Sequence, residues 1–404
     1  MSEPAFPLPA RPETFRITGL RTVVINADLR NWVFVRVETD QPGLYGWGEA
    51  TLEWKTRGVV GTIEDLEPIL IGRDPRDIEG TLRALRKHGF WRLGAIGESA
   101  ISGIELALWD IFGKSVGLPV WRLLGGRVRD RVGIYTHLGL GHSDSVYGSM
   151  DPESVADMAS EIVEKGYKAL KVLAVPYTHM SVTGRGLDQA EQAMGAIRER
   201  VGNDVEIMVD FHGRCGSIAA ALAYIDVLRP FRPLFIEEPL QPDDEEGLIA
   251  LSRQSSVPLA TGERLIGKSQ FDRIFASRAI AVAQPDICHT GGLLETKAIA
   301  AMAANAGIAM APHNPLGPIA GAAALHFAVS TPNFLTQEEM VGAVAWFGEV
   351  VDGPVCFDAG FWQVPDAPGL GVEVDETVAA RHPYKPEPFI TTEAAMEDGT
   401  IVDW

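Results

Sequence analysis

The sequence predicts an α/β protein, a (β/α)8-type barrel with an α+β capping domain built from the N-terminal region and the C-terminal tail. Three observations carry this. Beyond residue 131, short apolar runs of strand length recur about every 25 residues, each followed by an Ala- and Leu-rich helical stretch. Polar residues end those runs at nearly constant spacing. The first 130 residues have another texture, strand alternation first and helical periodicity after it.

Residues 1–16 carry Pro4, Pro7, Pro9 and Pro12 but no apolar core, so no secretory signal is expected. Residues 22–53 alternate between apolar and polar, and DQPG at 40–43 reads as a turn between Phe34-Val35-Arg36-Val37 and Leu44-Tyr45-Gly46-Trp47. From residue 75 to 117 the period is helical, with Ile78, Leu82 and Leu85 on one face and Ile101, Ile104, Leu108 and Ile111 on another. Residues 1–130 therefore read as the capping unit. The barrel, 131–345, takes its strands from eight runs at 132–135, 169–173, 205–209, 234–236, 259–260, 280–283, 308–311 and 334–335. Parallel strands buried on both faces give such continuous apolar runs. Residues 346–404, rich in Pro, Gly and acid, read as a segment returning to the capping unit. An open doubly wound sheet would show the same alternation, so the strand ends must decide.

Composition narrows the function. Lys and Arg number 35 against 54 Asp and Glu, a net charge of −19 over 404 residues, and no basic cluster offers the counterion release that nucleic acid or an anionic membrane requires. The longest apolar stretch, 298–311, is broken by Asn305 and Gly307 and is too short to span a bilayer. Cys215, Cys288 and Cys356 form no CxxC pair and no disulfide framework, which fits a reduced, cytoplasmic chain. There is no complete phosphate-binding fingerprint.

Three successive runs end in carboxylates: Asp210 in DFHGR, Glu237-Glu238 in IEEP, and Glu263 in GER. Asp210 and Glu237 are 27 residues apart and Glu237 and Glu263 are 26, one βα unit each, so the side chains converge on the C-terminal mouth of a barrel. Clustered anions need a cation, and hard oxygen ligands favour Mg²⁺ over zinc. The residues alone do not say which of Glu237 and Glu238 points inward; the expectation is Glu237. The next two strands end in Asp286 and His313, again 27 residues apart. A carboxylate on one imidazole nitrogen fixes the tautomer and leaves the other as a general base. His212, two residues beyond Asp210, faces the same way on an extended strand end and can serve as an acid. Glu338 ends the eighth run and is expected to bind a substrate group, with Glu339 as its rival. His289 and His326 read as structural.

With DFHGR at 210–214, IEEP at 236–239, GER at 262–264, QPD at 284–286 and APHNPLGP at 311–318, the chain resembles the enolase superfamily. Within that superfamily it is most similar to the mandelate racemase subgroup and its galactonate dehydratase-like acid-sugar dehydratases. ALWDIFGK and LLGG, within 107–126, resemble the end of the capping domain of that family. The resemblance implies that Asp210, Glu237 and Glu263 bind Mg²⁺, that His313 paired with Asp286 is the base, and that His212 is the acid. It implies dehydration of a sugar acid, D-galactonate or a related aldonate, to a 2-keto-3-deoxy acid through an enediolate. Racemases of the group carry a KxK pattern on the second barrel strand; here Leu173 stands where the second Lys would be, which disfavours racemisation. Lys171 and Arg264 are expected to assist at the substrate. Two alternatives share the residues: a cycloisomerase acting on a lactone or anhydro-sugar acid, and a catalytically silent metal-binding barrel. Substrate contacts are expected from loops around 28–32 and 54–57 and from 174–188, where Tyr177, His179 and Arg185 are candidates. A homo-oligomer is expected.

Overall fold

A computed structural model describes residues 14–142, 150–387 and 394–404. The N-terminal stretch with its prolines lies, up to residue 13, outside the described residues.

The first unit is an antiparallel meander, β1 (Ile17–Ala27), β2 (Arg30–Thr39) and β3 (Tyr45–Glu49), backed by helices α1 (Thr56–Leu70), α2 (Ile78–His88) and α3 (Gly94–Val116), with the short α4 (Val120–Leu123) after them. The DQPG turn closes with Leu44 N donating to Gln41 O at 3.0 Å. Helix α3 lies directly against β3 because that strand alternates glycine: a Cβ on Gly46 or Gly48 would stand 2.1 Å from Ala107 O or 1.9 Å from Gly103 O. Trp47 and Glu49, the alternate residues of β3, are fully buried.

Eight parallel strands follow: β4 (Arg131–His137), β5 (Ala169–Val172), β6 (Glu206–Asp210), β7 (Ile236–Glu237), β8 (Leu259–Thr261), β9 (Val282–Ala283), β10 (Ala309–Met310) and β11 (Gln337–Glu339). Each pairs with its neighbour up to β10. The ring closes where β11 pairs with β4, Glu338 opposite Tyr135, and where Met310 bridges Phe334. This closure excludes the open sheet.

Seven helices alternate with the strands: α5 (Pro152–Glu164), α6 (Gly184–Val201), α7 (Ile218–Leu228), α8 (Glu245–Ser252), α9 (Lys268–Ser277), α10 (Leu293–Ala306) and α11 (Pro318–Ser330). Two details differ from the sequence reading. The run at 334–335 makes only the β10 side of the eighth strand, Phe334 bridging Met310 and Leu335 N donating to Met310 O at 2.7 Å, while the pairing to β4 falls on the buried polar Gln337-Glu338-Glu339. After β11 the only helical segments are a 3-10 turn and two four-residue helices, Phe347–Val350 and Glu376–Ala379, so among the described residues the eighth unit has no full helix.

Tyr135, Ala169, Met208, Phe235 and Ala311 pack inside the barrel as part of a cluster of their own. Strand side chains repeat every two residues. Two positions further along stand His137, Lys171, Asp210, Glu237 and His313, so a ring of polar groups rests on an apolar floor.

The tail ties the two units together. Its strand Phe361–Gln363 runs antiparallel to the start of β4. Glu373 accepts from Tyr45 Oη at 2.7 Å and Trp47 Nε1 at 3.2 Å, Glu376 accepts from Arg21, and Lys385 O accepts from Asn31 Nδ2 at 2.8 Å. Residues 394–404 then reach the barrel mouth, where Trp404 meets His212. No described helix is long and apolar enough to cross a membrane.

Candidate active site

Asp210 and Glu237 pair in register at the ends of β6 and β7. Glu263 departs from the two-residue alternation. Its predecessor Gly262 has φ of 145°, and a Cβ there would lie 2.9 Å from the Gln284 backbone. Only glycine makes this turn so close to the next strand, and the turn carries Glu263 inward. One carboxylate oxygen from each of the three residues lies within 4.8 Å of the others. Glu238 points elsewhere: its oxygens accept from Arg264 Nε at 3.0 Å and pair with Arg264 Nη2 at 2.6 Å.

His212 reaches the site by a turn rather than by strand extension. Its φ is 56°, and Asp210 Oδ1 accepts from the His212 backbone N at 2.7 Å. The ring donates from Nδ1 to the Trp404 carbonyl oxygen at 2.5 Å, which leaves Nε2 for other work. His313 donates from Nδ1 to Asp286 Oδ2 at 2.8 Å, while Asp286 Oδ1 accepts from Cys288 N at 2.7 Å. His313 Nε2 lies 3.6 Å from Glu263 Oε2, so the pair and the carboxylate cluster share one edge.

Lys171 is the buried cation of the ring. Its Nζ stands 2.8 Å from Glu237, 2.7 Å from Glu338 and 3.6 Å from Asp210. Burial acts to raise the Asp210 and Glu338 carboxyls, but Lys171 and the neighbouring histidines together outweigh it and both lie below the ordinary range, Glu338 well below. Glu237 and Glu263 go the other way. Burial, with neighbouring carboxylates adding repulsion, pushes both well above the ordinary range. One ammonium does not balance so many buried acids, and this all-oxygen, hard donor set suits a divalent cation such as Mg²⁺. For His313, burial disfavours the charged ring, yet Glu338 and the hydrogen-bonded Asp286 raise it to about 9. His212 is lowered, chiefly by burial.

Lys171, Asp210, His212, Glu263 and His313 line one cavity of about 530 Å³, with Glu237, Glu338 and Asp286 buried behind them. Its other wall comes from the first unit and the tail, with Arg30, Trp54, Asp403 and Trp404 among the lining residues. The Trp404 ring packs edge-on against Trp54 at 5.0 Å and against His212 at 4.8 Å.

Residues 154–378 match the family described as Enolase C-terminal domain-like, and residues 13–125 match Mandelate racemase / muconate lactonizing enzyme, N-terminal domain. The chain belongs to the enolase superfamily. Among curated relatives of this mandelate racemase and muconate lactonizing enzyme group, D-galactonate dehydratase of Verminephrobacter eiseniae is 39% identical, covering 92% of this chain and 96% of its own. D-galactonate dehydratase of Variovorax paradoxus is 37% identical, covering 96% and 100%. A solved enolase from Pantoea ananatis with bound d-gluconate and Mg has a TM-score of 0.86 at 30% identity, covering 96% of this chain and all of its own.

In this enolase-superfamily chain, the structure gathers Asp210, Glu237, Glu263, His212, His313, Asp286, Lys171 and Glu338 at one barrel mouth. Glu339 turns outward to Tyr167 and Val341 N. Arg264 lines the cavity, but Glu238 and Gln241 hold its guanidinium. Of the expected loops, 28–32 supplies Arg30 and 54–57 supplies Trp54. Tyr177, His179 and Arg185 do not line the cavity; Tyr177 and Arg185 line a separate small pocket. Sequence reasoning missed His137, whose Nε2 donates to Glu338 at 2.6 Å. Its signal was available, since His137 follows the first apolar run as Asp210 follows the third. His289, read as structural, also lines the cavity and contacts Asp286 at 3.6 Å.

Proposed function

We propose that the chain is a Mg²⁺-dependent hydro-lyase that removes water from a sugar acid, D-galactonate or a related aldonate, to give a 2-keto-3-deoxy acid. The observation that supports this most is that two histidines, His313 held by Asp286 and His212 held by Trp404 O, line one cavity with Asp210 and Glu263, two members of the Asp210, Glu237 and Glu263 cluster. The names of the curated relatives and the sugar acid in the solved relative point the same way.

In this reading Asp210, Glu237 and Glu263 hold the cation, which when bound supplies a fixed positive charge against the substrate carboxylate. Lys171, held from behind by Glu338, completes the wall that orients that carboxylate. His313 takes the C2 proton at Nε2, and Asp286 stabilises the imidazolium that forms. His212, protonated at both nitrogens for this step with Nδ1 on the Trp404 oxygen, gives its Nε2 proton to the departing 3-hydroxyl, which leaves as water and returns the ring to the neutral form that burial favours. The enol that remains becomes the 2-keto acid. Leu173 puts an apolar side chain on the cavity wall where a second base would stand, so proton transfer runs on one face and favours elimination over racemisation.

The test is incubation of the purified protein with a panel of aldonates, D-galactonate and D-gluconate included, with Mg²⁺ and with EDTA. Metal-dependent formation of a 2-keto-3-deoxy acid from one diastereomer is expected. Turnover in EDTA equal to that in Mg²⁺, or consumption of an aldonate without keto product, would overturn the reading.

A further inference from the structure

Two first-unit carboxylates lie outside the cavity yet hold the two loops that bear the His313–Asp286 pair. Glu49, the last residue of β3, accepts from Gly317 N at 2.7 Å and Ala320 N at 2.9 Å, at the start of α11. Glu105 on α3 accepts from Leu293 N at 2.8 Å and Leu294 N at 2.9 Å, at the start of α10. Both side chains are fully buried. The two helices begin at Gly292 and Gly317, which offer no capping side chain, so their first N–H groups are satisfied from the other unit.

The seats match. A Cβ on Gly317 would stand 2.6 Å from a Glu49 oxygen, and one on Gly292 would stand 2.4 Å from a Glu105 oxygen. Each glycine is thus a gap into which the opposite carboxylate fits. Thr51 Oγ1 donates to Glu49 at 2.8 Å and Trp109 Nε1 donates to Glu105 at 2.8 Å, so each carboxylate is fixed within its own unit before it reaches across.

The loops so gripped carry the proton-transfer pair. His313 precedes Gly317 by four residues, and Asp286 precedes Gly292 by six. The same face of α3 adds Ser99 Oγ at 3.1 Å from His289 Nδ1 and Ser102 Oγ accepting from Gly291 N at 3.1 Å. Arg86 donates to Gly291 O at 3.2 Å, and Arg30 donates to Pro315 O. Neither Glu49 nor Glu105 touches the cavity.

We propose that Glu49 and Glu105 are positioning residues: the capping unit sets the placement of His313 against Asp286, in addition to forming a cavity wall. This rests on the reading of His313 as the base. A reacting group displaced by about 1 Å loses on the order of 100-fold in rate. Glu49→Gln and Glu105→Gln keep the shape but leave one helix N–H facing an amide NH₂. Each should slow exchange of the substrate C2 hydrogen with solvent deuterium, measured with D-galactonate and Mg²⁺, by about 10- to 100-fold, with KM changed far less.

Glu67→Gln is the control, since Glu67 accepts from Leu20 N within the first unit and touches neither loop. It should lower the thermal midpoint without changing the exchange rate of the folded protein. A second readout needs no substrate: the His313 Nδ1–H signal in ¹⁵N-histidine spectra should broaden or vanish in the two Gln variants and persist in the control. If the parent protein exchanges C2 hydrogen and the Gln variants keep both rate and signal, the positioning role is wrong. If no aldonate exchanges in the parent but the signal is lost in the variants, the substrate reading fails and the positioning role stands.

Discussion

Lys171→Met removes an ammonium while nearly conserving volume, so its effect isolates charge from packing. The side chain is 1% exposed, and its Nζ lies within 3.0 Å of both Glu237 oxygens, 2.7 Å from Glu338 and 3.6 Å from Asp210. Removing one partner of a buried ion pair costs about 3–5 kcal/mol. The stranded acids can escape part of that cost by binding protons, which makes it pH-dependent. In the variant the folded carboxyl pKa values rise above their unfolded values. The contribution of these groups to stability is therefore fully present below the unfolded value and is lost as pH rises through the folded one. The destabilisation should be small near pH 5 and full near pH 8. At about 2.1 cal/mol/K of unfolding entropy per residue, a chain of 404 residues shifts by about 1.2 °C per kcal/mol, so the thermal midpoint at pH 8 in EDTA should fall by about 4–6 °C. Saturating Mg²⁺ replaces charge at Asp210, Glu237 and Glu263 but not at Glu338, so it should restore only part of the loss. Thermal melts of parent and variant at the two pH values, with EDTA and with Mg²⁺, measure this. A pH 8 midpoint within about 2 °C of the parent in EDTA, or a loss indifferent to both pH and Mg²⁺, would refute the charge argument.

His313→Asn should abolish both C2-hydrogen exchange and keto-acid formation, and retained exchange would remove His313 from the role of base. His212→Asn should lose keto-acid formation by about 100-fold or more while keeping measurable exchange, as expected for a general acid; parallel loss of both would argue against a separate acid step. Deleting Asp403 and Trp404 takes away the oxygen that accepts from His212 Nδ1, so dehydration should fall more than exchange; equal losses would point to simple opening of the cavity. Glu339, raised by burial from 4.5 to about 7, contributes stability that is present below pH 4.5 and lost as pH rises through 7, so Glu339→Gln should flatten the decline of the thermal midpoint between pH 5 and 8.

The barrel was legible because apolar strand runs and their polar ends obey one period, and Asp210, Glu237, Asp286 and His313 fall on it. Glu263 kept the period of the unit but not of the strand, since Gly262 redirects the chain. The choice between Glu237 and Glu238 depends on a partner, Arg264, that no spacing announces. The run at 334–335 caught only the part of the eighth strand that meets β10, because the residues that pair with β4, Gln337-Glu338-Glu339, are polar and are buried only through partners elsewhere in the barrel. Glu49 and Glu105 gave no signal at all. Their acceptor role belongs to helix ends more than 180 residues away, and such contacts leave no local pattern. Trp404 entered the site from a segment whose composition suggested only a return to the capping unit.

The tail contacts bear on the order in which the molecule assembles. Arg21 on β1 donates to Glu376 across 355 positions, and Asn31 meets Lys385 across 354. Pairings of such sequence separation form late, because chain entropy must be given up before they return anything. The meander at the N-terminus is synthesised first, yet its outer face is covered only when residues 373–387 exist. Barrel strands β4 to β10 need no such wait, each pairing with the next, and only the closure of β11 on β4 is long-range. Refolding should therefore assemble the carboxylate ring before the pocket above it is walled, and a folding intermediate would hold a cation-binding floor open to water. Growth of the chain from its N-terminus leaves the capping unit, the earliest part made, among the last to settle.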